Sequence, residues 1–131
     1  MSLMKKKSDT NLKLAQDLIN LGEYNASVHC SYYGCFQYLK CILKNNLNLS
    51  YSTQNEDRPE SHNFLLENLF KKINNPKTIK NIREDFIFLK EKRKIADYCE
   101  EEVGPDGSLD ALEEAKAVIY KVKNALGGLN L

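Results

Sequence analysis

The stretch Val28-His29-Cys30-Ser31-Tyr32-Tyr33-Gly34-Cys35-Phe36-Gln37-Tyr38-Leu39-Lys40-Cys41-Ile42-Leu43 decides the fold class. Val28, Tyr32, Cys35, Phe36, Leu39, Ile42 and Leu43 recur at steps that alternate between four and three. On a helix of about 3.6 residues per turn, such steps return each side chain to one face. A strand needs alternation at every second residue, and no segment of the chain sustains it. This helix is expected to begin near Glu23 and to run to about Asn45.

Upstream, Leu12, Ala15, Leu18 and Ile19 predict a helix from about Asp9 to Leu21, with Gly22 as its stop. Downstream, Asn46 to Glu60 is polar and contains Pro59, so it reads as a loop whose length marks it as mobile or functional. Ser61 reads as the N-cap of a third helix carrying Phe64, Leu65, Leu66, Leu69, Phe70 and Ile73. A fourth, from about Pro76 to Glu101, carries Ile79, Ile82, Phe86, Leu89, Arg93 and Ala96. Gly104-Pro105-Asp106-Gly107 reads as a turn. Ser108 reads as the cap of a last helix with the stripe Leu109, Leu112, Ala115, Ile119, Val122 and Leu126, ended by Gly127-Gly128. The expectation is an all-α, up-and-down antiparallel helical bundle of four to five helices.

A chain of 131 residues buries about two-thirds of its unfolded surface, enough for one core. Residues 9–127 are read as that single domain. Residues 1–8 are set aside as a tag scar, Met1-Ser2-Leu3, and a disordered basic N-terminus. Nineteen Lys and Arg against 18 Asp and Glu give a net charge of +1, which argues against coating nucleic acid by bulk charge. No apolar run approaches the roughly 18 residues of a membrane span, and Ser8-Asp9-Thr10-Asn11 interrupts any secretion signal. A cytoplasmic protein with no membrane association is expected.

The four cysteines are Cys30, Cys35, Cys41 and Cys99. Cys30 and Cys41 lie about 16 Å apart along a helix, too far to bridge or to share a metal. His29 and His62 show no ligand spacing with them. Free thiols in a reducing compartment are expected, with no metal and no cofactor.

Arg93 breaks the pattern, because it stands where the fourth stripe calls for Leu. A buried guanidinium needs a partner or a water-filled cleft. Asp97 lies four residues on, within pairing reach, and Tyr98 adds a hydroxyl. Three readings are open: a head snorkelling to water, a structural Arg93–Asp97 pair at a subunit interface, or a site for phosphate oxygens. Tyr24, Tyr32, Tyr33 and Tyr38 cluster on one helix. Tyr32 fits the core stripe. Tyr33 and Tyr38 point elsewhere and, with Arg93, are candidate interface residues.

Four segments together resemble the HEPN family, the higher eukaryotes and prokaryotes nucleotide-binding domain. They are Leu21-Gly22-Glu23-Tyr24-Asn25-Ala26-Ser27-Val28; Ser31-Tyr32-Tyr33-Gly34-Cys35-Phe36-Gln37-Tyr38-Leu39-Lys40; Ser61-His62; and Leu89-Lys90-Glu91-Lys92-Arg93-Lys94-Ile95-Ala96-Asp97-Tyr98. The last is similar to the prokaryotic branch ending in Arg-x-x-Ala-Asp-Tyr.

The resemblance implies a helical homodimer whose long helices meet at a cleft. It also implies toxin–antitoxin or defence systems, with a minimal nucleotidyltransferase as partner. The family's RNase signature is Arg, four to six residues, then His. Here no His follows Arg93, and Asp97 and Tyr98 fill that region. Beside Arg93, Asp97 is a weak base. The expected function is therefore a HEPN-like binding module, with nucleotide or RNA held at Arg93, Asp97 and Tyr98. One alternative is a divergent metal-independent RNase using Arg93 with Asp97, Tyr98 or His62. The other is a purely structural dimerisation domain.

Overall fold

The computed structural model describes residues 2–54 and 61–127, with the side chains of all of these except Ser52, Thr53, Ser61 and His62. Every regular element among them is a helix: α1 (Leu3–Asn20), α2 (Tyr24–Leu47), α3 (Tyr51–Gln54), α4 (Ser61–Phe70), α5 (Pro76–Tyr98) and α6 (Pro105–Leu126).

The α1–α2 corner is built on Gly22, at φ 77°. Glu23 N–H donates to the Leu18 carbonyl (2.9 Å) and Gly22 N–H to Ile19 (3.0 Å). This pair of hydrogen bonds around a left-handed glycine satisfies the last carbonyls of α1 and reverses the chain. The two helices then run antiparallel and close together. Ser27 hydroxyl donates to the Ala15 carbonyl (2.7 Å), and Ser8 hydroxyl to the Gly34 carbonyl (2.6 Å). Further along, Lys5 Nζ lies 5.2 Å from the Tyr38 ring centre. Gly34 permits the approach, since a Cβ there would sit 2.8 Å from Leu12 Cδ2.

These contacts correct two expectations. Residues 3–8, set aside as a disordered basic stretch, are the first turns of α1, with Ser8 fully buried. Lys5-Lys6-Lys7 looks like a solvated tail because the sequence pattern does not show that small Ser8 faces glycine across the seam. Tyr38, a candidate interface residue, is only 6% exposed within the single chain; α1 already covers it.

α2 is the central helix, touching α1, α4, α5 and α6. Val28, Tyr32, Cys35, Leu39, Ile42 and Leu43 are fully buried, as their spacing requires. Each large apolar side chain so buried contributes about 1.5–3 kcal/mol. α2 runs to Leu47 and closes on Asn48 in the left-handed region, φ 55°. The expected 46–60 loop is thus interrupted: its first residues extend α2, and Tyr51–Gln54 form the single turn α3. Gln54 is buried and donates to the carbonyls of Lys40 (3.1 Å) and Leu49 (2.8 Å). Residues 55–60 and the cap proposed at the Ser61 side chain lie outside the described residues.

Asn75 caps α5, its side-chain oxygen accepting from Lys77 N–H (2.9 Å) and Thr78 N–H (3.4 Å), with Pro76 in the first turn. Pro lacks the N–H that a first turn leaves unpaired anyway. α5 ends at Tyr98 rather than Glu101. α6 begins at Pro105, so the expected turn is the helix's own start and Ser108 is not its cap. Ser108 is fully buried and donates to the Pro105 carbonyl (2.8 Å). The inward face therefore starts at Ser108, and Leu109, counted in the stripe, is 41% exposed.

Where α5 meets α6, Lys121 pairs with Asp85. Burial, a hydrogen bond with Asp85 and that group's charge push the Glu114 carboxyl up to about 7, against the opposing pull of Lys121.

Two outcomes test this packing. Gly34→Val forces Leu12 aside and separates α1 from α2. Chemical denaturation should show a loss of about 1–3 kcal/mol. Glu114 binds its proton more tightly folded than unfolded, so its contribution is fully present below about pH 4.5 and is lost as pH rises towards about 7. Glu114→Gln mimics the protonated carboxyl, so its stability relative to wild type should rise across that window.

Candidate functional site

The steps Ile82, Phe86, Leu89, Arg93 turn one face of α5 inward, and the guanidinium enters with it. The Arg93 side chain is 9% exposed. This excludes the snorkelling reading. The guanidinium carbon lies 4.9 Å from the Tyr32 ring centre, 5.7 Å from Tyr98 and 5.9 Å from Tyr33. A cation among aromatic faces gains about 2 kcal/mol when desolvated. Nη1 donates to the Tyr98 hydroxyl at 3.4 Å and lies 3.8 Å from Asp97 Oδ2. The structure thus brings Arg93, Asp97 and Tyr98 together.

The compensation is incomplete. The Asp97 contact is at the outer limit of an ion pair, and the buried Nε–H of Arg93 has no hydrogen-bond partner among the described residues. A buried donor left in this way costs about 1–3 kcal/mol. Burial pushes the Tyr32 hydroxyl well above its ordinary value, opposed by the charge of Arg93. Tyr32 therefore stays neutral, and its hydroxyl also accepts a hydrogen bond from Arg93.

A fourth member comes from α2. His29 Nδ1 lies 3.0 Å from both carboxylate oxygens of Asp97. Its ring stacks at a tilt on Tyr33, centres 4.7 Å apart. The His29 side chain is 50% exposed and that of Asp97 18%. The residue order in space is His29, Asp97, Arg93, Tyr98. Tyr98 is 76% exposed, so solvent meets the cluster through His29 and Tyr98.

Sequence reading missed His29 because it looked for an imidazole after Arg93, whereas the fold delivers one from 68 positions before Asp97. One signal was present: His29 stands three and four residues before Tyr32 and Tyr33, on the helix face that meets α5. The side chain of His62, a candidate catalytic group, lies outside the described residues. Tyr33 is half-buried in the cluster, so of the two candidate interface tyrosines it alone keeps an accessible edge.

Other chemistry sits apart. Among the described residues, open cavities of about 270–320 Å³ are lined by Leu3 and Lys6, by Thr78 and Lys121, and by Asn46 and Lys72, away from the cluster. Cys30, Cys35 and Cys41 are buried free thiols, and Cys99 is exposed. Burial pushes the Cys35 thiol far up, which leaves it unreactive. Among the described residues, no group of three or more His, Cys, Asp or Glu is arranged to hold a metal. No described helix is long and apolar enough to cross a membrane.

A helical bundle of this topology, with an arginine buried near the end of its fifth helix, defines a class of small α-helical domains. The chain belongs to the HEPN domain family, whose model matches residues 1–126. No curated protein matches it. HEPN domains are generally connected with nucleotides or RNA, and they often dimerise.

Removing Asp97 alone leaves a buried cation without its carboxylate. Asp97→Ala should destabilise the fold by about 1–3 kcal/mol. In an Arg93→Met background the same change should cost much less, because no buried charge is then orphaned. Denaturation of the four proteins of the cycle gives the coupling directly.

Proposed function

We propose that the protein is a binding module whose Arg93 cluster receives a phosphate group of a nucleotide or an RNA strand. The observation that carries this reading is the undercompensated guanidinium: a buried cation with a distant carboxylate and an unused Nε–H. Phosphate oxygens are hard acceptors that satisfy such a group with charge-assisted hydrogen bonds. Tyr98 and Tyr33 add aromatic faces on which a base can stack, worth about 1–3 kcal/mol per base. His29 and Tyr98 form the accessible rim.

The module works as a homodimer, the second copy walling the open side of the cluster. Ile87 and Phe88, both exposed on α5, supply apolar surface on the same helix. Membership of the HEPN family supports a place in a toxin–antitoxin or defence system, with a nucleotidyltransferase as the partner protein. An adjacent nucleotidyltransferase gene, and co-purification of its product, is the expected finding for that part of the reading.

Fluorescence anisotropy with a labelled single-stranded oligoribonucleotide and with ATP, in the presence of a chelator, tests the ligand class. Arg93→Met keeps the apolar stem and removes the charge. It should weaken binding at least about tenfold, the worth of roughly one charged hydrogen bond. Equal affinity for wild type and Arg93→Met rejects the site, as does a wild type that binds neither probe.

A further inference from the structure

We propose that the groove between α1 and α2 at Lys6, Lys7, Thr10, Asn11 and Gln37 is a second phosphate site, which holds the backbone of a nucleic-acid strand running along α2 away from the Arg93 cluster. The inference rests on the phosphate site proposed above and adds a separate contact to it.

The burial pattern of α2 carries it. From His29 to Lys44 this helix is buried except at His29, Tyr33, Phe36, Gln37, Lys40 and Lys44. Steps of four, three, one, three and four put these residues on one face. The face is a stripe about 22 Å long. Its first residues, His29 and Tyr33, belong to the Arg93 cluster. From there the Tyr33 and Phe36 rings meet edge to face, centres 6.4 Å apart, and Lys40 Nζ lies 5.6 Å from the Phe36 ring centre. Aromatic rings beside ammonium groups suit a single strand, since bases lie on the rings and phosphates meet the cations.

α1 supplies the second half of the site. It runs antiparallel to α2, so its first turns lie beside the last turns of α2. A cavity of about 320 Å³ opens there, lined by Leu3, Lys6, Lys7, Thr10, Asn11 and Gln37. Asn11 Nδ2 donates to Gln37 Oε1 (2.8 Å), which leaves the Gln37 N–H groups for a ligand. Lys5 is paired with Asp9. Among the described residues, no carboxylate pairs with Lys6 or Lys7. Burial, and then the charge of Lys7, push the Lys40 ammonium below its ordinary value. Cations gathered in this way repel one another, and a phosphate placed among them replaces repulsion with attraction.

The net charge of +1 hides this patch. Glu100-Glu101-Glu102 follow α5 at the opposite end, where Val103 meets Asn25 at the start of α2. The rival occupant is an acidic peptide; the rings of Tyr33 and Phe36 beside the lysines favour a strand of bases. Lysine acts on phosphate as a point charge, so RNA and DNA strands share the contact.

The experiment reads anisotropy with the full chain and labelled single strands of about eight nucleotides, one RNA and one DNA. Labelled ATP probes the Arg93 site alone. Lys6→Gln/Lys7→Gln should weaken both strands about tenfold at low salt. It should also lower the slope of log affinity against log salt by about 1.4, at about 0.7 per lysine. ATP affinity should stay within about twofold of wild type, because the lysines lie beyond the screening length. Lys116→Gln/Lys123→Gln removes the same charge from exposed positions of α6 and should leave the slope unchanged. Thermal melting checks that both variants remain folded. Equal strand affinity and slope for the two double variants overturn the second site and leave the Arg93 site standing. So does a tenfold loss confined to the RNA strand, or a matching loss of ATP binding. Poly-glutamate that displaces the strand at equal charge concentration overturns it in favour of an acidic partner. A wild type that binds neither strand nor ATP overturns both readings.

Discussion

A positive charge that never loses its proton cannot be buried without an answer, and the arrangement around α5 is that answer. Arg93 is held among the rings of Tyr32, Tyr33 and Tyr98, with Asp97 as the nearest negative charge. Two of those rings belong to α2, and so does His29, which takes the other side of Asp97. The inward face of α5 is thereby locked in register against α2 by electrostatics as well as by Phe86 and Leu89. Apolar packing alone tolerates repacking among side chains of similar volume. A cation with a fixed set of partners is more particular about its neighbours.

The hairpin of α1 and α2 supports this from behind. Ser8, Ser27 and Gly34 let the two backbones approach, and the hydroxyls donate to carbonyls across the seam. The face of α2 that carries His29, Tyr32 and Tyr33 is therefore presented by a rigid pair rather than by a single helix. α6 closes the opposite side through Ala111, Ala115, Val118 and Val122. Val103 N–H donates to the Asn25 side chain at 2.9 Å and ties the segment after α5 to the start of α2. Both ends of the site are thus anchored to the central helix.

The fold was legible wherever periodicity was strong. Of the stripe on α2, all but the half-buried Phe36 is fully buried, although Ser27, Cys30, Ser31, Gly34, Tyr38 and Cys41 are buried beside it, and Gly22, Asn75-Pro76 and Gly127 marked real helix ends. The N-terminal turns were not legible, because three lysines outweigh one serine in any local pattern while burial of Ser8 depends on a glycine 26 residues away. The start of α6 was misplaced because Ser108 has the chemistry of a cap, and only the backbone shows that it lies within the first turns. Arg93, Asp97 and Tyr98 stood out as a local string. His29 did not, since its partner is set by how α2 and α5 cross, which no spacing along the chain records. Tyr38 failed for a related reason: its outward direction from the core stripe was correct, but α1 occupies that direction.

Asp97 and Tyr98 occupy the last turn of α5, whose final carbonyls lack partners further along the helix. A carboxylate there faces the negative pole of the helix dipole and gains nothing from its own backbone. Terminal turns open far more readily than helix middles, without exposing the core. The cluster is thus mounted on a clasp: releasing one turn would unfasten Asp97 from His29 and strip Arg93 of two neighbours while the rest of the bundle stayed folded.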